Sequence, residues 1–384
     1  MTKSKTHKKK GAAAIITASV LALIALFGMA ACSNAAQSGT GTDGSTALPE
    51  APFVEGGASL ILSPDKLDIK VEVRTADGTF VTVEGCEETT LTSGARTVLH
   101  AKGSLVILKG NIKKLDFYKN QLTALNVQGC TALQELNCGF NKLTALNMQG
   151  LTDLRKLDCW GNQLTELNVQ GCTALQELKC GFNKLTALDV QGLTTLQNLF
   201  CPFNQLTVLN VQDLTALKEL YCGSNQLTAL DVQGLSNLQR LDCSGNQLTT
   251  LDVQGLTFLH VLACSGNQLT ALDVQGCTAL QWLYCRGNQL TALNVQGLSA
   301  LRYLECYSNQ LTAQAFTKLF DDLPVRADSD HGWCALYTEK TGITEGNHTD
   351  FTSPPDLADA FNNTKTVKKW IMDKIDESGF PVEI

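Results

Sequence analysis

A solenoid of stacked parallel strands is the fold class that this 384-residue chain predicts, and three features carry the prediction. Asn recurs every 21 residues as Asn120, Asn141, Asn162, Asn183, Asn204, Asn225, Asn246, Asn267, Asn288 and Asn309, each followed after one residue by Leu and Thr, and the spacing never slips. Each unit carries the frame L-x-x-L-x-[LC]-x-x-N-x-L, as in Leu133, Leu136, Cys138, Asn141 and Leu143. The half-unit that follows, Leu143, Leu146, Met148 and Leu151, repeats the same apolar spacing. So short a unit has no second layer of its own and buries its apolar side only against its neighbours.

Within a unit, side-chain alternation around Leu136 and Cys138 predicts a short strand that turns Leu and Cys inward. Asn141 then bends the chain. A buried amide at that position requires partners, so the Asn column is expected to bond the backbone of its own and the adjoining unit. Twenty-one residues per coil leave little room for a helix, and the outer side reads as extended chain. Cys138, Cys159, Cys180, Cys201, Cys222, Cys243, Cys264, Cys285 and Cys306 share one slot, where a small apolar side chain is needed. Cys130, Cys172 and Cys277 stand where other units have Leu151, Leu193 or Leu235. Parallel neighbours lie about 4.8 Å apart, wider than the roughly 3.8 Å between the Cβ atoms of a disulfide, so the ladder is expected to stay reduced. The state of Cys86 and Cys334, outside the repeats, is open.

The repeats resemble the short, nested leucine-rich repeats of bacterial surface lipoproteins and adhesin-like proteins, including relatives of the internalins, over about residues 112–313. The resemblance implies a leucine-rich repeat solenoid, a parallel-strand horseshoe or arc of about ten coils. It transfers no functional residue, because the matching positions are the buried ones. The flanks read as covers for the ends of the stack, which otherwise expose apolar edges. Residues 53–111 alternate in Leu67–Val73 and Phe80–Val83 and read as a β-rich N-terminal cap. Residues 314–384 read as an α+β cap: helix around Phe316–Phe320, strand at Trp333–Tyr337, and mostly helix from Pro355 to Lys374.

The N-terminus carries an export signal. Lys3, Lys5, Lys8, Lys9 and Lys10 precede an apolar run from Gly11 to Ala31, and Met29-Ala30-Ala31-Cys32 resembles a lipobox with Met29 where Leu is usual. That resemblance implies lipidation of Cys32; simple cleavage and a retained anchor are the alternatives. Residues 32–52, rich in Ser, Gly, Thr and Ala, read as a flexible tether. Residues 1–31 hold five Lys and no acid, so their loss takes the formal net charge from −7 to −12. An acidic product excludes nucleic acid as the expected partner and leaves lipid as the membrane attachment. The expected location is the cell envelope, on its outer surface, as a monomer.

Catalysis finds no support in the motifs: H-E-x-x-H, G-x-S-x-G and the P-loop are absent. His331 near Asp330 and Cys334 reads as a loop residue and not as part of a nucleophile pair, and a linear Cys column does not converge on a metal. The column Asn126, Asn147, Asn168, Asp189, Asn210, Asp231, Asp252, Asp273 and Asn294 lacks the clustered oxygens and Gly of a calcium loop, so no metal and no cofactor are expected. The invariant Thr and Gln columns, such as Thr144 and Gln149, read as a structural ladder. Function is sought in the variable outward slots of the strands, and these collect aromatics. Tyr118, Trp160, Phe200, Tyr221, Trp282, Tyr284, Tyr303 and Tyr307 fall there, with Phe140, Phe182 and Phe203 in the turns covering the edge of the core. Outward aromatics are the material of interface hot spots. The predicted ligand-contact residues are Trp160, Phe200, Tyr221, Trp282, Tyr284, Arg286, Tyr303, Glu305 and Tyr307, with the last six expected to be neighbours. The function this predicts is non-enzymatic binding of a protein or glycan, including one of host origin, through the strand face; the alternative is a structural spacer or envelope-assembly scaffold.

Overall fold

The computed structural model describes residues 50–342 and 345–384. The signal segment, Cys32 and the tether as far as residue 49 lie outside the described residues. Among those described, no helix is long and apolar enough to cross a membrane.

A sheet of fifteen strands runs the length of the repeats. Each coil contributes three residues, such as Glu135–Asn137, Lys156–Asp158 and Glu177–Lys179, through to Tyr303–Glu305. Pairing is parallel and without offset: Leu136 lies beside Leu157, Leu157 beside Leu178, and the series continues to Leu304. The constant 21-residue period is the cause, since equal coils bring equal positions together. The outer side is extended, as expected: Ala145–Asn147 pairs with Glu166–Asn168, and later coils keep isolated bridges at Asp252, Asp273 and Asn294. The Asn and Asp of that side each accept the N–H two residues on, as Asn147 does from Gln149 and Asp189 from Gln191. These side chains are spent on turns.

Two buried ladders hold the coils in register. Asn162 Oδ1 accepts Leu143 N–H of the preceding coil at 3.0 Å, and its Nδ2 donates to the carbonyls of Cys138 and Cys159, both at 3.0 Å. The same three bonds recur at Asn183, Asn204, Asn225, Asn246, Asn267, Asn288 and Asn309. Each amide therefore satisfies groups that would otherwise be buried without partners. Beside it runs the Cys column, with every described Cys buried and free, Cys86 and Cys334 included. Burial pushes the thiols up, to about 12 at Cys201 and Cys264, which makes them apolar fillers and not nucleophiles.

Both ends of the stack are closed by strands. At the N-terminal end Asp68–Thr75 lies antiparallel to Ile112–Asp116 and carries Arg96–His100 on its far edge, while Gly57–Ile61 pairs antiparallel with Ala124–Asn126 on the opposite side. At the other end α1 (Ala313–Asp322), its N-cap Thr312 accepting Ala315 N–H, packs Phe316, Leu319 and Phe320 inward. Gly332–Thr338 then rejoins the sheet beside Tyr303–Glu305. α2 (Pro355–Thr366) follows and ends sooner than its sequence suggests. Trp370–Ile375, expected as helix up to Lys374, is a strand parallel to Gly332–Thr338. Thr364, Thr366 and Val367 weaken the helix with β-branched side chains, Lys369 adopts φ 63°, and an open sheet edge supplies the pairing that propensity alone does not weigh.

The closing coil is a repeat in disguise. Asn347 Oδ1 accepts Leu311 N–H at 2.8 Å and its Nδ2 donates to Cys306 and Leu336 carbonyls at 2.9 and 2.8 Å, reproducing the ladder outside its period. Cys334 takes the Leu slot beside Leu304.

Candidate binding surface on the strand face

The strand face divides into two chemistries on one backbone. Its first slot reads Lys114, Glu135, Lys156, Glu177, Asn198, Glu219 and Arg240 in successive coils, then Val261, Trp282, Tyr303 and Trp333. In the charged part, opposite signs meet along the column. Lys114 lies 3.3 Å from Glu72 and 4.0 Å from Glu135, Lys179 is 2.5 Å from Glu177, and Arg240 is 3.6 Å from Glu219. Lys114, Glu135, Lys156, Glu177 and Lys179 line a depression of about 260 Å³ with Asp158 in its wall, whose carboxyl burial raises. Charge here is neutralised locally, which leaves little for a ligand.

The second part is aromatic and is where Trp282, Tyr284, Arg286, Tyr303, Glu305 and Tyr307 converge. Tyr284 packs on Tyr303 at 5.0 Å between ring centroids, and Tyr303 stacks on Trp333 at 4.4 Å. Trp282 lies beside Tyr303 in strand register. Tyr303 Oη donates to Glu305 Oε1 at 2.8 Å, Arg286 Nε meets Glu305 Oε2 at 3.0 Å, and Arg286 Nη1 donates to Tyr307 Oη at 2.6 Å. The Arg286 guanidinium also lies over the Tyr307 ring, 5.4 Å from its centroid. Burial lifts the Glu305 carboxyl above the usual range, and Arg286 and Tyr303 pull it back. Burial pushes the Tyr284 phenol up to about 12, aided by the charge of Glu305. The result is a row of rings whose polar groups are tied to one another, a pre-ordered surface with little side-chain entropy left to lose on binding.

The remaining three predicted contact residues lie apart from this cluster. Phe200 and Tyr221 stack on each other at 4.9 Å, with the Lys179 ammonium 5.6 Å from the Phe200 ring. Trp160 belongs to the turn edge instead. It packs against Phe182 at 5.1 Å and lies over Gly181, where a Cβ would come within 2.5 Å of its ring. Phe182 continues the row to Phe203 at 4.2 Å. Phe140, Phe182 and Phe203 all have φ of 53–54°, the left-handed conformation that Gly161, Gly245, Gly266 and Gly287 occupy in other coils. Stacking offsets the roughly 1 kcal/mol that this conformation costs a side chain. The candidate nucleophile pair separates: Cys334 is buried in the sheet, His331 is exposed, and Asp330 pairs with Arg326 and Arg302.

Sequence reasoning missed Trp333 as a member of the cluster. It lies 30 residues beyond Tyr303, outside the period, and only the similarity of Trp333-Cys-Ala-Leu-Tyr337 to Tyr303-Leu-Glu-Cys-Tyr307 hinted at the match. Its Nε1 donates to Asp373 Oδ2 at 2.7 Å, which ties the patch to the strand after α2.

Residues 237–259 match the family model described as Leucine Rich Repeat. This chain is a leucine-rich repeat solenoid. Among solved structures the solenoid is similar to the functional domain of InlJ from Listeria monocytogenes, which includes a cysteine ladder, at 30% identity over 67% of this chain and 57% of that one, TM-score 0.48. It is also similar to YopM from Yersinia enterocolitica at 26% identity over 49% and 40% of the two chains, TM-score 0.45. A leucine-rich repeat protein of Leptospira interrogans is similar at 22% identity over 67% and 83%, TM-score 0.43. The solenoid thus spans 57% of the InlJ domain's length and 40% of YopM's. No curated protein matches it.

Proposed function

We propose that this solenoid is a non-enzymatic binding protein of the bacterial cell envelope, exported, lipid-anchored through Cys32 and displayed on the outer surface, where its strand face holds a protein or glycan partner. The observation that carries the reading is the aromatic cluster at Trp282, Tyr284, Tyr303 and Trp333, with the Arg286, Glu305 and Tyr307 network beside it. A coil needs only its buried Leu, Cys and Asn to stack, so rings in the outward slots are surplus to the fold. Rings and Arg at the centre of a contact surface supply most of the binding energy in such interfaces.

The test uses intact cells carrying the full chain, screened against immobilised matrix proteins and glycans, with a Trp282→Ala/Tyr284→Ala variant in parallel. The expected result is retention of a partner by the unmodified chain and at least about a tenfold loss in the variant, the effect of removing a hot-spot pair. Retention unchanged in a folded variant, with loss only on deletion of whole repeats, indicates a spacer and overturns the reading.

A further inference from the structure

A second surface lies at the opposite end of the sheet, where the N-terminal strands meet the first coil. Lys66, Lys70, Arg96 and Lys119, with Tyr118 and Asn120, line a depression of about 390 Å³. No acidic residue is in that wall. The four cations come from a turn, a central strand, an edge strand and the turn of the first coil, and the antiparallel placement of Asp68–Thr75 against Ile112–Asp116 brings them together. Lys66 Nζ donates to the Lys119 carbonyl at 2.7 Å, which pins two of them to one spot.

The charge arrangement departs from the rest of the face. Lys114, Lys156, Lys179, Arg240 and Arg286 each have a Glu partner within 4.0 Å. Among the described residues, none of the four cations around the depression forms an ion pair. The Glu opposite Arg96 in the strand register is Glu72, and its carboxylate is already held by Arg74 and Lys114. Asn120 is likewise occupied: its amide exchanges both hydrogen bonds with the Lys70 backbone. Four like charges converging in an acidic chain repel one another, and against this the fold gains only the Lys66 contact with the Lys119 carbonyl and the Lys119 ammonium over the Tyr118 and Phe140 rings. The volume falls in the roughly 300–1,000 Å³ range of small-ligand sites and exceeds what one oxyanion fills.

We infer that this depression binds a small, multiply charged ligand bearing sulfate or phosphate ester groups on a sugar or polyol frame. The four cations take the oxyanions by charge-assisted hydrogen bonds, and the Tyr118 ring forms part of the wall.

Titration calorimetry of the full chain with sucrose octasulfate and with inositol hexakisphosphate, each in low and physiological salt, tests the site. Binding of either compound, weaker at higher salt and reduced at least about tenfold by Lys66→Gln/Lys70→Gln but not by the control Lys142→Gln/Lys184→Gln, is the expected result. Selectivity for one compound supports the site and names the ester. Lys66→Gln also removes the hydrogen bond to the Lys119 carbonyl, and an unchanged melting temperature verifies that each variant is folded. Equal losses in the two variants mean diffuse attraction to the surface and overturn the inference, as does the absence of binding by both compounds.

Discussion

The two parts of the strand face share a backbone and differ in what they leave available. From Lys114 to Arg240 the first outward slot is mostly charged and its side chains pair with one another; from Trp282 to Trp333 it carries rings locked by stacking, with one Arg–Glu–Tyr network beside them. The strands beneath are in the same register, and the same Asn and Cys columns support them. Stability and recognition are thereby separated in this molecule: inward positions hold the coil, and three outward positions per coil decide what the surface does. A solenoid permits this because each coil contacts only its neighbours, so a change of outward side chain has no distant packing consequence.

The sharpest way to break this comparison is to damage the shared scaffold in each part. Asn183 and Asn288 each accept one Leu N–H and donate to two Cys carbonyls. Alanine at either position removes three buried bonds and leaves their partners unsatisfied, at an expected cost of about 3–5 kcal/mol. Urea denaturation should show equal losses at the two sites. A markedly smaller loss at Asn288 would mean that the aromatic cluster, and not the ladder, holds that end together.

The thiol column gives a smaller, pH-dependent effect common to both parts. Its pKa values rise on folding from 9.0, to about 12 at Cys201 and Cys264, because burial disfavours the thiolate. A raised folded value means that the contribution to stability is complete below about pH 9 and is lost as pH climbs towards 12. Denaturation midpoints should hold steady from pH 7 to 8 and fall above 9, and a Cys201→Ala/Cys264→Ala variant should fall less steeply. A midpoint indifferent to alkali would show that the thiols are not the buried acids described.

The smallest effect belongs to the charged part. Arg240→Gln breaks a 3.6 Å contact with Glu219 between side chains about a third exposed, and such pairs contribute under about 1 kcal/mol. The midpoint should move by less than that, with the shift shrinking further in salt. A larger change would make the charged face a structural element after all.

The repeat half of the fold was legible because its information is periodic: the Asn and Cys columns, the inward Leu residues and the extended outer side all follow from one 21-residue frame. Six of the nine predicted contact residues came together for the same reason, since Trp282 and Tyr303 are one period apart. Trp160 lies apart from them, its ring turned over Gly181 to join Phe182. That choice depends on which neighbour is small.

What the sequence alone determined is therefore the parallel solenoid, its register and its two internal ladders, since equal spacing dictates equal stacking whatever the surface carries. Only the tertiary structure decided how the stack ends and what gathers there. Trp333 and Asn347 extend the sheet and the ladder from outside the period, Trp370–Ile375 becomes a strand because an edge awaits it, and Lys66, Lys70, Arg96 and Lys119 meet across an antiparallel junction. The physical reason is that pairing between segments of unequal spacing is fixed by long-range contacts, which no local pattern of residues records.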